Sequence, residues 1–195
     1  MKISKEKAAE NRDALVRAAS RLICERGFDG VGVAEISMAA GLTHGALYAH
    51  FRSKEELALA AFSYGLEQAG ARMEMNEADG MPDLPAFLDR FLSVDSRDDY
   101  AGVCPIAASA SAIGRHDRDL STRFSEGYLD MVRVFEGSIA GSRTGEDARA
   151  RAMTLVATLV GVHAVARGAA KGDPALSEEV LRAARRVIGE AIGAR

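Results

Sequence analysis

Between positions 43 and 50 the chain sets Thr43, His44, Tyr48 and His50 on one short segment, two hydroxyls and two imidazoles around a single inward apolar residue, Leu47. Hydroxyls bond phosphate oxygens, and an imidazole donates to a guanine acceptor or meets a phosphate. Such side chains suit non-covalent reading of a nucleic acid better than bond-making chemistry. A plain corner inside a helical bundle is the alternative, but a seven-residue helix packed for its own sake has little use for Thr, His, Tyr and His on its outward side.

The neighbouring elements must hold that segment still. Leu15, Ala18, Ala19, Leu22 and Ile23 follow the i, i+3, i+4, i+7, i+8 pattern of a helix over about residues 6 to 26, stopped by Gly27. A second, barely two-turn helix carries Val33, Ile36 and Ala40 to a stop at Gly41, and Thr43 caps the third, His44 to His50. Ser37 is small enough for the contact between these helices, Gly41 supplies a left-handed turn, and Ile36, Ala40, Leu42 and Leu47 hold the crossing angle. Two short helices joined in this way form a helix-turn-helix, whose second helix enters the major groove of DNA. Ser53-Lys54-Glu55-Glu56 is a capping box opening a long fourth helix, with Leu57, Ala60, Ala61 and Tyr64 spaced for packing.

The segments Gly27-Phe28-Asp29-Gly30, Val33-Ala34-Glu35-Ile36, Ala39-Ala40-Gly41-Leu42-Thr43, Gly45-Ala46-Leu47-Tyr48-Ala49-His50-Phe51 and Ser53-Lys54-Glu55-Glu56-Leu57 resemble the amino-terminal signature of the tetracycline-repressor (TetR-like) family of bacterial transcription regulators. The resemblance covers about a quarter of the chain; the remainder is similar in length and helix order only. It implies a three-helix DNA-binding domain over residues 1–52 and a ligand-binding and dimerising helical domain over 53–195, with helix 53–76 as the connector. Matched to that motif, Thr43, Tyr48 and Lys54 contact phosphate, and His44 at the start of the recognition helix is the first choice for reading a base edge. Gly45 lets backbone approach the duplex. His50 packs with Phe51 or touches phosphate, and a solvated surface side chain is the alternative for both histidines. The family usually has Ser or Thr where this chain has Val31 and Gly32. A glycine cap leaves the amides of Gly32 and Val33 free for a phosphate, so a hydroxyl contact is in doubt and DNA binding is not.

Beyond the connector, Leu84, Phe87, Leu88, Phe91 and Leu92 mark a fifth helix ending near Val94, followed by a charged loop, Asp95 to Asp99. Pro105 opens a short helix to about Gly114, and long helices are expected over about 118–140 and 146–168, with a break over Gly141 to Gly145. Pro174 precedes a last helix with Val180, Leu181, Ala184, Val187, Ile188 and Ile192 as its stripe. The class is therefore all-α, about nine helices, with no strand or repeat. The run Met153 to Ala166 is apolar nearly all round and needs cover on every side. A homodimer through this helix and the last one supplies it, with Val156, Ala157, Val160, Gly161, Ala164, Leu181, Ala184 and Ile188 as interface residues; the resemblance also implies a dimer. Two heads on a two-fold axis would read a palindromic double-stranded operator.

Phe87, Phe91, Phe124, Tyr128, Met131 and Phe135 could enclose an apolar cavity for a hydrophobic or aromatic effector, or could simply be core. His163 could orient such a ligand, or be a hydrogen-bonded core or interface histidine. Cys104, before Pro105, sits where backbone amides and a helix dipole lower a thiol pKa, so a redox or electrophile sensor is an alternative to an inert small hydrophobe. The resulting expectation is a repressor released by a small apolar or aromatic molecule.

Composition limits the other readings. The 195 residues are 48% hydrophobic and 27% charged, which excludes a disordered chain. Residues 1–54 hold nine basic and six acidic side chains, so the net charge of −3 divides into a basic head and an acidic body. A sequence-neutral DNA-packaging protein would be basic over most of its surface. An enzyme is disfavoured too: there is no GxSxG, HExxH or glycine-rich phosphate loop, and His116, Asp117 and Asp119 read as helix capping. No catalytic residue, metal site or cofactor is expected. Two isolated cysteines, a polar amino terminus and an interrupted apolar run point to a reducing cytoplasm and no membrane segment.

Overall fold

The computed structural model describes residues 4–73, 82–100, 102, 104–139 and 146–192. The sequence also predicts a loop from Glu77 to Pro82; all of it but Pro82 lies outside the described residues, as do the end of the 53–76 connector and the break over 141–145. The helices are α1 (Lys5–Arg26), α2 (Val33–Ala39), α3 (His44–Tyr48), α4 (Lys54–Ala71), α5 (Leu84–Phe91), α6 (Val94–Asp98), α7 (Pro105–Ser109), α8 (Arg118–Ile139), α9 (Glu146–Ala169) and α10 (Pro174–Ala191), with one 3-10 turn at Ile113–Arg115. No β-strand occurs among the described residues, so the fold is all-α.

The backbone forms two compact units, one of Met1–Gln68 with Tyr100–Arg123 and the other of Ala69–Asp99 with Phe124–Arg195. The boundary expected after residue 52 is therefore not where the backbone divides: most of α4 belongs with the head, and so does the segment from 100 to 123. Local contacts explain why. Pro105 lies so close to α4 that a Cβ on Gly65 would meet its Cγ at 2.7 Å and the Ser20 Oγ of α1 at 3.0 Å. Arg123 donates to the Ser63 hydroxyl at 3.1 Å, and the His116 ring stands 4.7 Å from that of Phe28. The core of this unit is Leu15, Ala19 and Leu22 of α1 with Ile36, Leu47, Phe51, Leu57 and Ala61. Each fully buried large aliphatic side chain contributes about 1.5–3 kcal/mol.

In the second unit α9 and α10 pair along their lengths, with α5 and α6 against them. The buried side of α9 consists of Ala148, Ala152, Leu155, Val156, Leu159, His163 and Ala166, and α10 contributes Leu181 and Ile188. The charged loop expected at Asp95 to Asp99 is instead largely helix. Ser93 caps α6 by accepting the Ser96 amide at 3.0 Å. Arg97, only 8% exposed, donates to the Ser177 hydroxyl at 2.9 Å and to the Asp98 carboxylate, so its charge is paired rather than solvated. The helix expected from Pro105 to Gly114 is broken into α7 and the 3-10 turn.

Candidate nucleic-acid interface

The recognition segment is held from both ends by backbone bonds that its sequence makes available. Gly41 ends α2 at φ +70°, donating to the Met38 carbonyl at 3.0 Å, while Leu42 donates to Ser37 at 2.9 Å. This pair of bonds is a Schellman closure, and only a residue tolerant of the left-handed region makes it without strain. Ser37 is buried and returns its hydroxyl to the Val33 carbonyl at 3.0 Å, which removes a polar group from the helix contact. At the far end, the Ser53 Oγ accepts the Glu56 amide at 3.2 Å and the Glu56 carboxylate accepts the Arg52 amide at 2.7 Å. Leu47 and Phe51 then anchor α3 from beneath, with the Arg12 guanidinium 5.0 Å over the Phe51 ring.

What this frame presents outward is the polar set. Thr43, His44, Gly45 and Tyr48 are exposed, Tyr48 by 55%. Thr43 occupies the cap position of α3 with its side chain capping nothing, so the hydroxyl is available to a phosphate. The His44 and Tyr48 rings meet edge to face at 5.8 Å, one turn apart. Gly45 leaves open space where a Cβ would stand. Gly32 is exposed at the cap of α2 with no side-chain bond, and Val33 is half-buried behind it. His50 and Lys54 are half-buried. At the start of α4 the Glu55 carboxyl is held below its usual range by its own backbone amide and by the Ser53 hydroxyl. The amides that stabilise that carboxylate lie beside Lys54, at a helix end that favours anions. Sequence reasoning missed Met38, 74% exposed on α2. Its position directly after the inward Ser37 was the available signal.

The candidate effector residues are less uniformly placed. Phe87, Phe91, Phe135 and His163 are buried together: Phe87 stacks on Phe91 at 5.3 Å, meets Phe135 edge-on at 5.4 Å, and Phe91 stands 4.4 Å from the His163 ring. Phe124, Tyr128 and Met131 are half-buried on α8, with the Tyr128 hydroxyl donating to the Met153 carbonyl at 2.8 Å. Cys104 belongs to the amino-terminal unit, apart from the others in the backbone division. Burial pushes its thiol up, against the lowering effect of the Ala107 and Ile106 amides, which is the opposite of the direction expected from its helix-start position.

Of the eight residues expected at a dimer interface, Val156, Leu181 and Ile188 face the protomer's own interior. A second copy cannot reach them without unpacking α9 from α10. Ala157, Gly161 and Ala164 are exposed, and Val160 and Ala184 are half-buried. Nor is α9 covered all round: Val165 is 56% exposed, as is Val187 on α10, a residue expected on the inner stripe. By length and composition alone, Asp147–Ala169 would pass for a membrane span. Its buried His163 and its Arg167, bonded to α6, give it the contacts of a bundle helix. The suspected polar cluster near residue 116 is structural, since Asp117 caps α8 by accepting the Leu120 amide at 2.8 Å.

Comparison with known proteins agrees with this geometry. A family model described as bacterial regulatory proteins, tetR family, matches residues 15–61. The transcriptional repressor BepR of Brucella suis is 40% identical over 57 residues, 29% of this chain and 27% of its own length. The transcriptional regulator LmrA of Bacillus subtilis is 26% identical over 77% of this chain and 82% of its own. Among solved structures, a TetR-family regulator from Agrobacterium tumefaciens superposes with a TM-score of 0.74 at 26% identity, covering 94% of this chain and 98% of that one. The relatives above 30% identity are matched over only about a quarter to a third of their length. With the amino-terminal signature matched over residues 15–61 and the all-α fold shared along almost the whole chain, the protein is similar to the tetR family of bacterial regulatory proteins in its helix-turn-helix and in its fold.

Proposed function

We propose that this protein is a transcriptional repressor that binds a palindromic operator as a homodimer and leaves it when a small apolar or aromatic molecule binds the carboxy-terminal unit. The observation that carries the DNA reading is α3: Thr43, His44 and Tyr48 stand outward from a five-residue helix that is closed at Gly41 and pinned by Leu47. Thr43, Tyr48, Lys54 and the amides of Gly32 and Val33 position the duplex, His44 reads a base edge, Gly45 gives clearance, and His50 supports α3 from its half-buried place. The dimer reading is supported by Ala157, Gly161, Ala164 and Val165 on the exposed side of α9 with Val187 on α10, small and apolar groups that let two backbones approach. The effector reading is supported by the buried aromatic group Phe87, Phe91 and Phe135 with His163; Phe124, Tyr128 and Met131 would complete its wall. Release requires only that the molecule bind the DNA-incompetent state more tightly than the competent one. Such a protein works in the cytoplasm, where its operator is.

The test is selection of bound sequences from a random duplex pool at near-physiological salt, followed by titration of the enriched site. A palindrome should emerge, with half-sites about one helical turn or a small multiple apart. His44→Ala should then relax the preference at one symmetric pair of positions by about 1–3 kcal/mol per contact and leave the others unchanged. Absence of any enriched site, or uniform weakening across all positions in His44→Ala, refutes the reading.

A further inference from the structure

The inner side of α9 carries two nitrogen-bearing side chains one turn apart, and they differ in how fully they are bonded. Arg167 donates from Nε to the Arg97 carbonyl at 2.9 Å and from Nη2 to the carbonyls of Ser96 and Asp99 at 3.3 and 3.4 Å, where α6 ends. His163, 1% exposed, has its Nε2 at 2.8 Å from the Phe91 carbonyl, with the Ser96 hydroxyl farther off at 3.5 Å. A carbonyl oxygen can only accept, so Nε2 carries the hydrogen. In a neutral imidazole the other nitrogen then offers a bare lone pair. That nitrogen, Nδ1, is buried without a hydrogen-bond partner among the described residues. Burial pushes the imidazole pKa below its ordinary 6.5 and the Arg167 charge works in the same direction, with the Phe91 bond opposing, so the ring is neutral at pH 7.

An orphaned acceptor in apolar surroundings is costly, and a donor brought to it recovers that cost. Its neighbours indicate what should carry the donor. The His163 ring stands against Phe91, which continues into Phe87 and Phe135 on α5 and α8, three phenyl groups that favour a flat apolar body. A carboxylate or an ether would set lone pair against lone pair at Nδ1, and an ammonium would be stripped of water beside the Arg167 cation. We propose that Nδ1 of His163 is the polar anchor of the effector site and that the effector class is an uncharged aromatic hydroxyl compound, donating its O–H to that nitrogen. The proposal deepens the effector reading above and rests on it.

The test uses the full-length protein and calorimetric titration with 2-naphthol and 4-phenylphenol, their methyl ethers, and naphthalene. The phenols should bind about 10-fold or more tighter than the ethers, the factor expected when a buried acceptor gains its donor. His163→Gln keeps an N–H for the Phe91 carbonyl but has no acceptor at the Nδ1 position, so the preference should fall to about one while ether binding holds. His163→Asn, whose amide oxygen stands near that position, should restore part of it. If naphthalene or the ethers bind and the phenols gain nothing, or if His163→Gln keeps the preference, the anchor is overturned and the effector reading stands. If none of the five binds saturably, both fall. Nitrogen-15 NMR of the histidine-labelled protein needs no variant: an Nδ1 that carries the hydrogen in the unliganded protein overturns the proposal.

Discussion

The two units use their polar residues in opposite ways. In the amino-terminal unit the candidate DNA-contact groups are outside and the frame beneath them is apolar: Thr43, His44 and Tyr48 stand over Leu47 and Phe51. In the carboxy-terminal unit His163, Arg97 and Ser177 are polar groups held inside, while the outer side of α9 shows Ala157, Gly161, Ala164 and Val165 beside Thr154 and Thr158, whose hydroxyls turn back to carbonyls of their own helix. A surface meant for a phosphate backbone must offer donors to water until DNA arrives. A surface meant for a second copy of itself loses little by being bland. On the proposed reading, the difference teaches that exposed small apolar residues and exposed hydroxyls and imidazoles suit different partners.

Three substitutions sharpen or break that contrast. The largest effect is expected from Ala164→Glu, which puts a carboxylate on the bland face. Closing the dimer over it would bury an unpaired charge, at about 3–5 kcal/mol, so sedimentation at micromolar concentration should give a monomer with weakened operator binding. A variant that remains dimeric removes α9 from the interface. Next is Leu47→Ala, which hollows the frame while leaving every outward group in place. A fully buried leucine lost from beneath α3 should cost about 2–5 kcal/mol in chemical denaturation. Operator affinity should fall as well, although no contacting atom was removed; unchanged affinity would mean that the contacts do not depend on the frame. The smallest is Gly32→Ser. A Cβ there meets nothing within 4 Å, and the backbone already has the extended conformation of a cap. Stability should rise by a few tenths of a kcal/mol and gel-shift affinity should stay equal or tighten, since the hydroxyl caps α2 or meets a phosphate. A large loss would show that the bare amides make the contact themselves.

The same contrast explains what the sequence disclosed. The head was legible because its constraints are local: Ser37, Gly41 and Thr43 lie within seven positions, and each has a requirement of size, φ or capping that only a few residue types meet. The body's helices were legible from their stripes, but a stripe says that a face is buried and not against what. Val156, Leu181 and Ile188 were therefore read as an interface when α9 and α10 bury them against the protomer's own core. The segment Asp95 to Asp99 read as a charged loop because the partner that buries Arg97, Ser177, lies 80 positions away. Cys104 misled for a related reason: the helix start is visible in sequence, whereas the burial that outweighs it is not.

The close approach of Pro105 and Ser20 to Gly65 bears on how this regulator could be re-engineered. Exchanging operator specificity between relatives by splicing after residue 52 would set a foreign α1 against the native α4 and segment 100–123, and splicing after α4 would set a foreign α1 and α4 against that segment. The glycine that admits the proline, the Phe28 ring that meets His116 and the Ser63 hydroxyl that receives Arg123 would each have to be matched by chance. A chimera should instead transplant two pieces, 1–68 together with 100–123, because the exchangeable module of this chain is discontinuous along the gene and continuous only in space.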